Sequence, residues 1–291
     1  MTPRRRLPIS PGYAGPGGTD FDQVDIAVVD VETTGLSAGR GDRVCEIGIV
    51  RIRGGAVMQT FGTLVDPTIP ISAGAFAVNG ISPAMLVDAP VFGEVMSRVE
   101  PLLRDCILVA YNAPFDLSFL NNEFRLCGAP VLRNPVVDVL LLARQLLPGR
   151  PRYPQSAVAA LLKIASAVSH RALEDAMVTA KILAHFLSML RAYDFRTLGD
   201  LRRRDLTTLL REKRGEKITA ALESGEDLWI RYLSPTDGEI TQRIVTPGRP
   251  ASPARHITTT ELRGFCHVLQ ARRSFRIDYI LDVRPVSAGR F

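Results

Sequence analysis

The sequence predicts an α/β layer fold followed by a small all-β appendage. Three observations carry that expectation. From Phe21 to about Ala192, short apolar runs of strand length alternate with stretches of helical periodicity. From Ile218 to Val286 the pattern changes to short alternating strands separated by turns, as in a small barrel. The composition, 46% hydrophobic and 23% charged over 291 residues, is that of a globular chain long enough for one large domain or two ordinary ones.

The elements follow in order. Residues 1–20 hold Arg4-Arg5-Arg6 among Pro and Gly with almost nothing apolar to bury, and read as a disordered tail. Strands are expected at 25–30, 44–53, 56–65, 107–111 and 135–138, each an apolar run bounded by polar or turn residues. Helices are expected near 91–103, 115–126, 138–147, 155–164 and 171–190. Pro114 suits the first turn of the second of these, where its missing N–H costs nothing. Asp138, after Pro135-Val136-Val137, reads as the N-cap of the next. These elements make a domain over 21–192. Residues 193–216, with Arg202-Arg203-Arg204 and Arg211-Glu212-Lys213-Arg214, read as a charged and partly helical linker. A second domain, 217–291, has strand-like runs from Asp227 to Leu233 and Glu239 to Pro247 around the turn Ser234-Pro235-Thr236-Asp237-Gly238. Two more follow, Leu262 to Val268 and Arg273 to Asp278. No internal repeat is apparent.

Charge is placed unevenly. Residues 1–190 carry 17 basic and 17 acidic residues and 191–291 carry 19 and 13, so the whole net charge of +6 lies in the last third. A basic appendage of this kind suits a polyanion. The alternative is a solvated arginine-rich surface. No stretch is long and apolar enough to span a bilayer, and the N-terminus lacks the apolar core of a signal peptide, so a cytoplasmic protein is expected. Cys45, Cys106, Cys127 and Cys266 are scattered without CxxC spacing and read as reduced thiols, neither disulfides nor zinc ligands.

The chemistry concentrates in the first domain. Asp30 and Glu32 end the apolar run from Ile26, and side chains at i and i+2 of a strand share a face. Two carboxylates side by side in an apolar setting repel one another and lose hydration unless a cation lies between them, which points to a hard divalent metal. Asp116 follows the 107–111 run in the first turn of a helix, and His170 and Asp175 flank the start of another. Four acids and a histidine, all near element ends, converge on one pocket in this reading. Glu46, inside the second strand, reads as structural or as supporting the site. Taken singly, each acid would be a cap or turn former and His170 a surface histidine; the acids together are seldom buried without partners.

The segments DVETTG at 30–35, NAPFD at 112–116 and HRALEDA at 170–176 resemble the three motifs of the DEDDh exonuclease family, whose members include the proofreading epsilon subunit of bacterial DNA polymerase III. The resemblance covers roughly residues 24–190, including Phe61 to Pro67 and Asn79-Gly80-Ile81. It implies a ribonuclease H-like five-stranded mixed sheet with flanking helices, and 3′–5′ phosphodiester hydrolysis by two ions of Mg²⁺ or Mn²⁺ about 3.5–4 Å apart. Asp30 would bridge both ions, Glu32 and Asp175 would complete one site, and Asp116 would support the other through water. His170 would take the proton from the attacking water. Thr33, Thr34, Gly35 and Leu36, with Asn112 and Phe115, would grip the terminal nucleotide. Leu36 would be the wedge against the last base; simple packing is its other reading.

The segments IRYLSPTDGEITQRIVTP, GFCHVLQ and RRSFRID resemble the WYL domain, a small SH3-like β-barrel. Thr260-Glu261-Leu262 stands where the family has its namesake tripeptide, and Tyr279 where a basic residue is expected. The resemblance implies a basic surface for nucleic acid or another anionic ligand, with Arg243, Arg273 and Arg276 as candidates. The function expected is a 3′–5′ exonuclease of DNA, acting on single-stranded 3′ ends in repair or nucleic-acid processing. The alternatives are an exoribonuclease, a ligand-sensing protein with a vestigial nuclease site, and a polymerase proofreading subunit.

Overall fold

Strand β1 (Ile26–Thr33) is the middle of a five-stranded sheet, because its residues are apolar on both faces until Asp30. The structure is a computed structural model and describes residues 18–165, 171–248 and 260–286. With β2 (Val44–Arg53), β3 (Ala56–Leu64), β4 (Ile107–Ala110) and β5 (Val136–Asp138), the strand order is β3-β2-β1-β4-β5. The β1/β2 and β2/β3 pairs are antiparallel, and β1/β4 and β4/β5 are parallel. The sheet is therefore mixed, as expected. Most of the expected tail, residues 1–17, lies outside the described residues. Phe21 is buried, and its N–H donates to the carbonyl of Arg196.

Alternation along β1 divides the sheet's faces. Ala27, Val29 and Val31 join a core with Ile47, Ile49 and the helices α2 (Phe92–Leu103) and α3 (Ala113–Leu126), which contribute Val95, Val99, Phe119 and Phe124. Asp30 and Glu32 face the other way. Four further helices lie in the chain up to Arg191: α1 (Ala73–Asn79), α4 (Val139–Leu146), α5 (Gln155–Leu161) and α6 (Ala172–Arg191). The expected elements all occur, within a few residues of their expected ends. Two differences matter. β1 runs on to Thr33, three residues beyond its expected end, so Glu32 as well as Asp30 lies within the strand. Helix α1 was not expected; its seven residues make only about two turns, shorter than the window over which helical periodicity shows.

The chain forms two compact units. The first comprises the residues up to Leu141 with Gln155–Ala184 and Arg196–Arg202, the last including the short α7 (Leu198–Leu201). The second comprises Leu142–Pro154, His185–Phe195 and everything from Arg203. It holds α8 (Leu206–Ser224), β6 (Asp227–Leu233), β7 (Ile240–Pro247), β8 (Glu261–Cys266), β9 (Ala271–Arg276) and β10 (Ile280–Val286). The five strands pair antiparallel in the order β10-β6-β7-β8-β9. β10 was not anticipated as a strand.

Residues 206–216, within the stretch expected as a charged and partly helical linker, form the first part of α8. Leu206, Leu210, Arg214, Ile218 and Ala221 are buried on one helical face. The surrounding arginines mask that period in the sequence, and Arg214 is itself buried, with its guanidinium near the Tyr193 ring.

Candidate metal-dependent active site

The geometry starts from strand register. Asp30 stands opposite Gly48 and Glu32 opposite Glu46 in the β1/β2 ladder, and Gly48 in turn stands opposite Gly62 on β3. The two glycines leave a shallow trough beside the acids. Helix α6 begins in it: a methyl group at Gly48 would collide with the Ala172 carbonyl and the Leu173 amide, and one at Gly62 would lie 3.0 Å from the Leu173 Cβ. Only glycine permits that approach. The helix start is also tied electrostatically. Arg171 grips Glu46 with Nε at 3.0 and 3.2 Å from the two carboxylate oxygens and Nη2 at 2.8 Å, and the Ala172 N–H donates to the same carboxylate at 3.3 Å. Asp175, one turn on, is thereby brought to Asp30 and Glu32, and carboxylate oxygens of all three lie within 4.8 Å of one another.

Asp116 arrives from the opposite side of β1. The parallel β1/β4 ladder covers only Ile26 to Val28, so the Val31 N–H has outrun its neighbour strand. It donates instead to the Asp116 carboxylate at 3.2 Å. The turn that starts α3 holds Asn112 at φ +70°, a left-handed conformation that Asn tolerates. Asp138 fixes it by accepting the N–H groups of Asn112 at 3.1 Å and Leu140 at 2.9 Å. Asp138 thus caps α4, as the sequence suggested, and also steadies the turn leading to Asp116.

The electrostatics are those of buried carboxylates that outnumber the one nearby cation among the described residues, Arg171. The Asp30 carboxyl is pushed well above its ordinary range by desolvation, then by the charges of Asp116, Asp175, Glu32 and Glu46. Glu32 is pushed up to about 7 by desolvation and by Asp175 and Glu46, against a hydrogen bond from Asn79. Asp116 is pushed up to about 8, chiefly by desolvation. Oxygen donors this close and this reluctant to ionise together fit a hard divalent cation, whose charge removes both penalties. Asp30, Glu32 and Asp175 are the residues that would hold it, with Asp116 adjacent.

The other expected residues are placed as follows. Thr33 and Thr34 are buried, and the turn they open is braced by Asp42, which accepts the Ser37 N–H at 2.9 Å and packs where a side chain at Gly35 would stand. Leu36 is 87% exposed, which removes the packing reading. Phe115 packs on Phe119 with ring centroids 5.0 Å apart. His170 lies outside the described residues; its chain neighbour Arg171 is held as above. Sequence reasoning did not assign two supporting residues. Asn79 donates to the Thr33 carbonyl at 3.2 Å as well as supporting Glu32, and Gln155 donates to the Asp175 carbonyl at 3.0 Å and Thr179 at 2.7 Å. The Asn79-Gly80 pair at a helix end was the available signal for the first.

The C-terminal arginines do not share one face of their sheet. Arg243 and Arg273 fall in the alternation of Val245 and Phe275, whereas Arg276 falls in the opposite one, over the Tyr279 ring at 4.7 Å.

A mixed five-stranded sheet carrying a carboxylate cluster at its central strand defines a ribonuclease H-like nuclease domain. The exonuclease family matches residues 27–183, more than half of the chain, and the chain belongs to that family. The PolC-type DNA polymerase III of Bacillus cereus is 39% identical over 160 residues, 55% of this chain and 11% of the polymerase. The DNA polymerase III subunit epsilon-like protein of Rhodobacter capsulatus is 37% identical over 185 residues, 62% of this chain and 26% of its own. The 3′-5′ exonuclease DinG of Staphylococcus epidermidis is 36% identical over 157 residues, 54% of this chain and 17% of its own. This chain therefore spans a small part of these relatives. Among solved structures, E. coli exonuclease I in complex with a dA16 oligonucleotide aligns over 84% of this chain and 55% of its own, with TM-score 0.52 and 15% identity. The nuclease domain of 3′hExo bound to rAMP aligns over 58% and 94%, with TM-score 0.50 and 19% identity. Both likenesses are of fold.

Proposed function

We propose that this chain is a 3′–5′ exonuclease that removes nucleotides from single-stranded DNA ends, using two ions of Mg²⁺ or Mn²⁺. The observation that carries the reading is the convergence of Asp30, Glu32 and Asp175 within 4.8 Å, with Asp116 hydrogen-bonded to the strand between them. Asp30, Glu32 and Asp175 would hold one ion, and Asp30 with Asp116 would serve the other. Bound there, the ions supply positive charge to the phosphate and to the oxygens entering and leaving it. His170 is the proposed base: it accepts the proton of the attacking water as that water forms the new P–O bond and the 3′-oxygen of the penultimate sugar departs. Thr33 to Leu36, Asn112 and Phe115 hold the terminal nucleotide, with exposed Leu36 against its base.

DNA is the substrate chosen because the similar relatives are named for DNA polymerases. The second unit, with its last strand returning to pair with its first and a 3-10 turn at 277–279 before it, supports the reading as a small WYL-like barrel that binds nucleic acid. The described cysteines are all unpaired, in keeping with a reducing, cytoplasmic setting. No helix among the described residues is long and apolar enough to cross a membrane. The test is incubation of 5′-labelled DNA and RNA oligonucleotides with the chain, with and without Mg²⁺. A ladder shortening from the 3′ end of DNA only with metal is expected. Metal-independent cleavage, or faster loss of RNA, would overturn the corresponding part of the proposal.

A further inference from the structure

Strand register in the second unit places two aromatic rings and two arginines on one face in a continuous band. Arg284 stands opposite Trp229, which stands opposite Ile244. One step along β7, Thr246 stands opposite Phe265, which stands opposite Arg272. Ile244 and Thr246 are i and i+2 of a single strand, so both rows belong to the same face. The Arg284 guanidinium lies over the Trp229 ring at 5.3 Å, and the Phe265 ring is 37% exposed. Arg263 and Arg276 share this face by the same alternation.

The acids near the band are already engaged. Glu261 accepts from Ser274 at 2.8 Å and pairs with Arg263 at 3.3 Å, Asp282 pairs with Arg284 at 2.6 Å, and Asp227 accepts from Thr246. Arg272 and Arg276 have no carboxylate at ion-pair distance among the described residues. Arg284 covers Trp229, so the accessible ring is that of Phe265, and its combination with arginines outside ion pairs matches a ligand having both negative charge and flat apolar faces. We infer that this band binds single-stranded nucleic acid, with a base stacking on Phe265 and phosphates meeting Arg272 and Arg276. A duplex keeps its base faces covered and has nothing to offer the ring. The inference deepens the nucleic-acid reading of the second unit and rests on it; it replaces Arg243 and Arg273 as that unit's contacts.

The test uses the full chain carrying Asp30→Asn, so that bound strands persist, and fluorescence anisotropy of labelled oligo-dT. Phe265→Ala should weaken binding about tenfold, the usual effect of losing one stacked base, and Phe265→Tyr should restore it. Arg272→Ala should lower the log–log salt slope by about one unit. Should Phe265→Ala lower the thermal midpoint, Phe265→Leu, which keeps apolar bulk without a ring face, takes its place with the same expectation. Unchanged affinity in the folded ring variants, or an equal loss for blunt duplex, overturns the inference. Ring-dependent binding by a chain that, unsubstituted, cleaves no DNA with Mg²⁺ supports the band while overturning the exonuclease reading alone.

Discussion

Asp30 is crowded by four other carboxylates, and it is the position where fold and chemistry conflict most. In the folded chain without metal, Glu32 and Asp116 hold their protons up to about 7 and about 8, whereas in the unfolded chain both ionise near 4. Between those limits the unfolded state binds fewer protons, so stability falls as pH rises from about 5 to about 8. Thermal unfolding in EDTA across that range should show a falling midpoint, and Mg²⁺ should oppose the fall; a midpoint that rises with pH would remove the carboxylate crowding. Asp30→Asn should abolish hydrolysis yet raise the midpoint in EDTA near pH 8, because it removes one charge from the cluster. An active Asp30→Asn chain would refute the metal assignment. His170→Ala should slow hydrolysis by ~10²–10⁴-fold while leaving the Mg²⁺-dependent rise in midpoint intact. An unaltered rate would place the base elsewhere.

At the scale of elements, the site depends on how α6 meets the sheet. Gly48 lets the helix start touch β2, and the Arg171–Glu46 pair holds it there. Gly48→Ala forces the Ala172 backbone away and should cost about 1–3 kcal/mol, the range for overpacking in a well-filled interior. Because Asp175 moves with the helix, activity should fall further than stability alone explains. Measuring kcat at temperatures well below the shifted midpoint separates the two, and an unaltered kcat would show that Asp175 is placed by something other than this contact. Arg171→Ala leaves Glu46 buried without its cation beside Glu32, which adds one more uncompensated charge to the cluster.

For the whole molecule, the second unit draws on residues 142–154 and 185–195, of which all but 193–195 lie in the stretch that the sequence assigned to the first domain. Tyr193 and Leu190 are fully buried within it. A chain ending near residue 202 would expose them, and should be less soluble with a lower unfolding midpoint than the full chain. Equal solubility and midpoint for the two would mean that the exonuclease domain ends where the sequence pattern does.

The sequence alone determined the order and type of nearly every element of the first sheet, because apolar runs with period 2 or 3.6 are local signals. It also singled out Asp30 and Glu32 as neighbours on one face, since two acids at i and i+2 of an apolar strand are improbable without a cation; that Asp175 joins them is a matter of tertiary placement. Three other things were decided only by tertiary structure. The trough of Gly48 and Gly62 depends on which residues stand opposite Asp30 across two ladders, and a single strand does not specify its register. Helix α8 looked like a charged linker because burial of Arg214 rests on Tyr193 and Asp278, distant in the chain. The aromatic and arginine band of the second sheet exists only once five strands, from Asp227 to Val286, are laid side by side; alternation assigns each residue a face, and pairing alone decides which faces join.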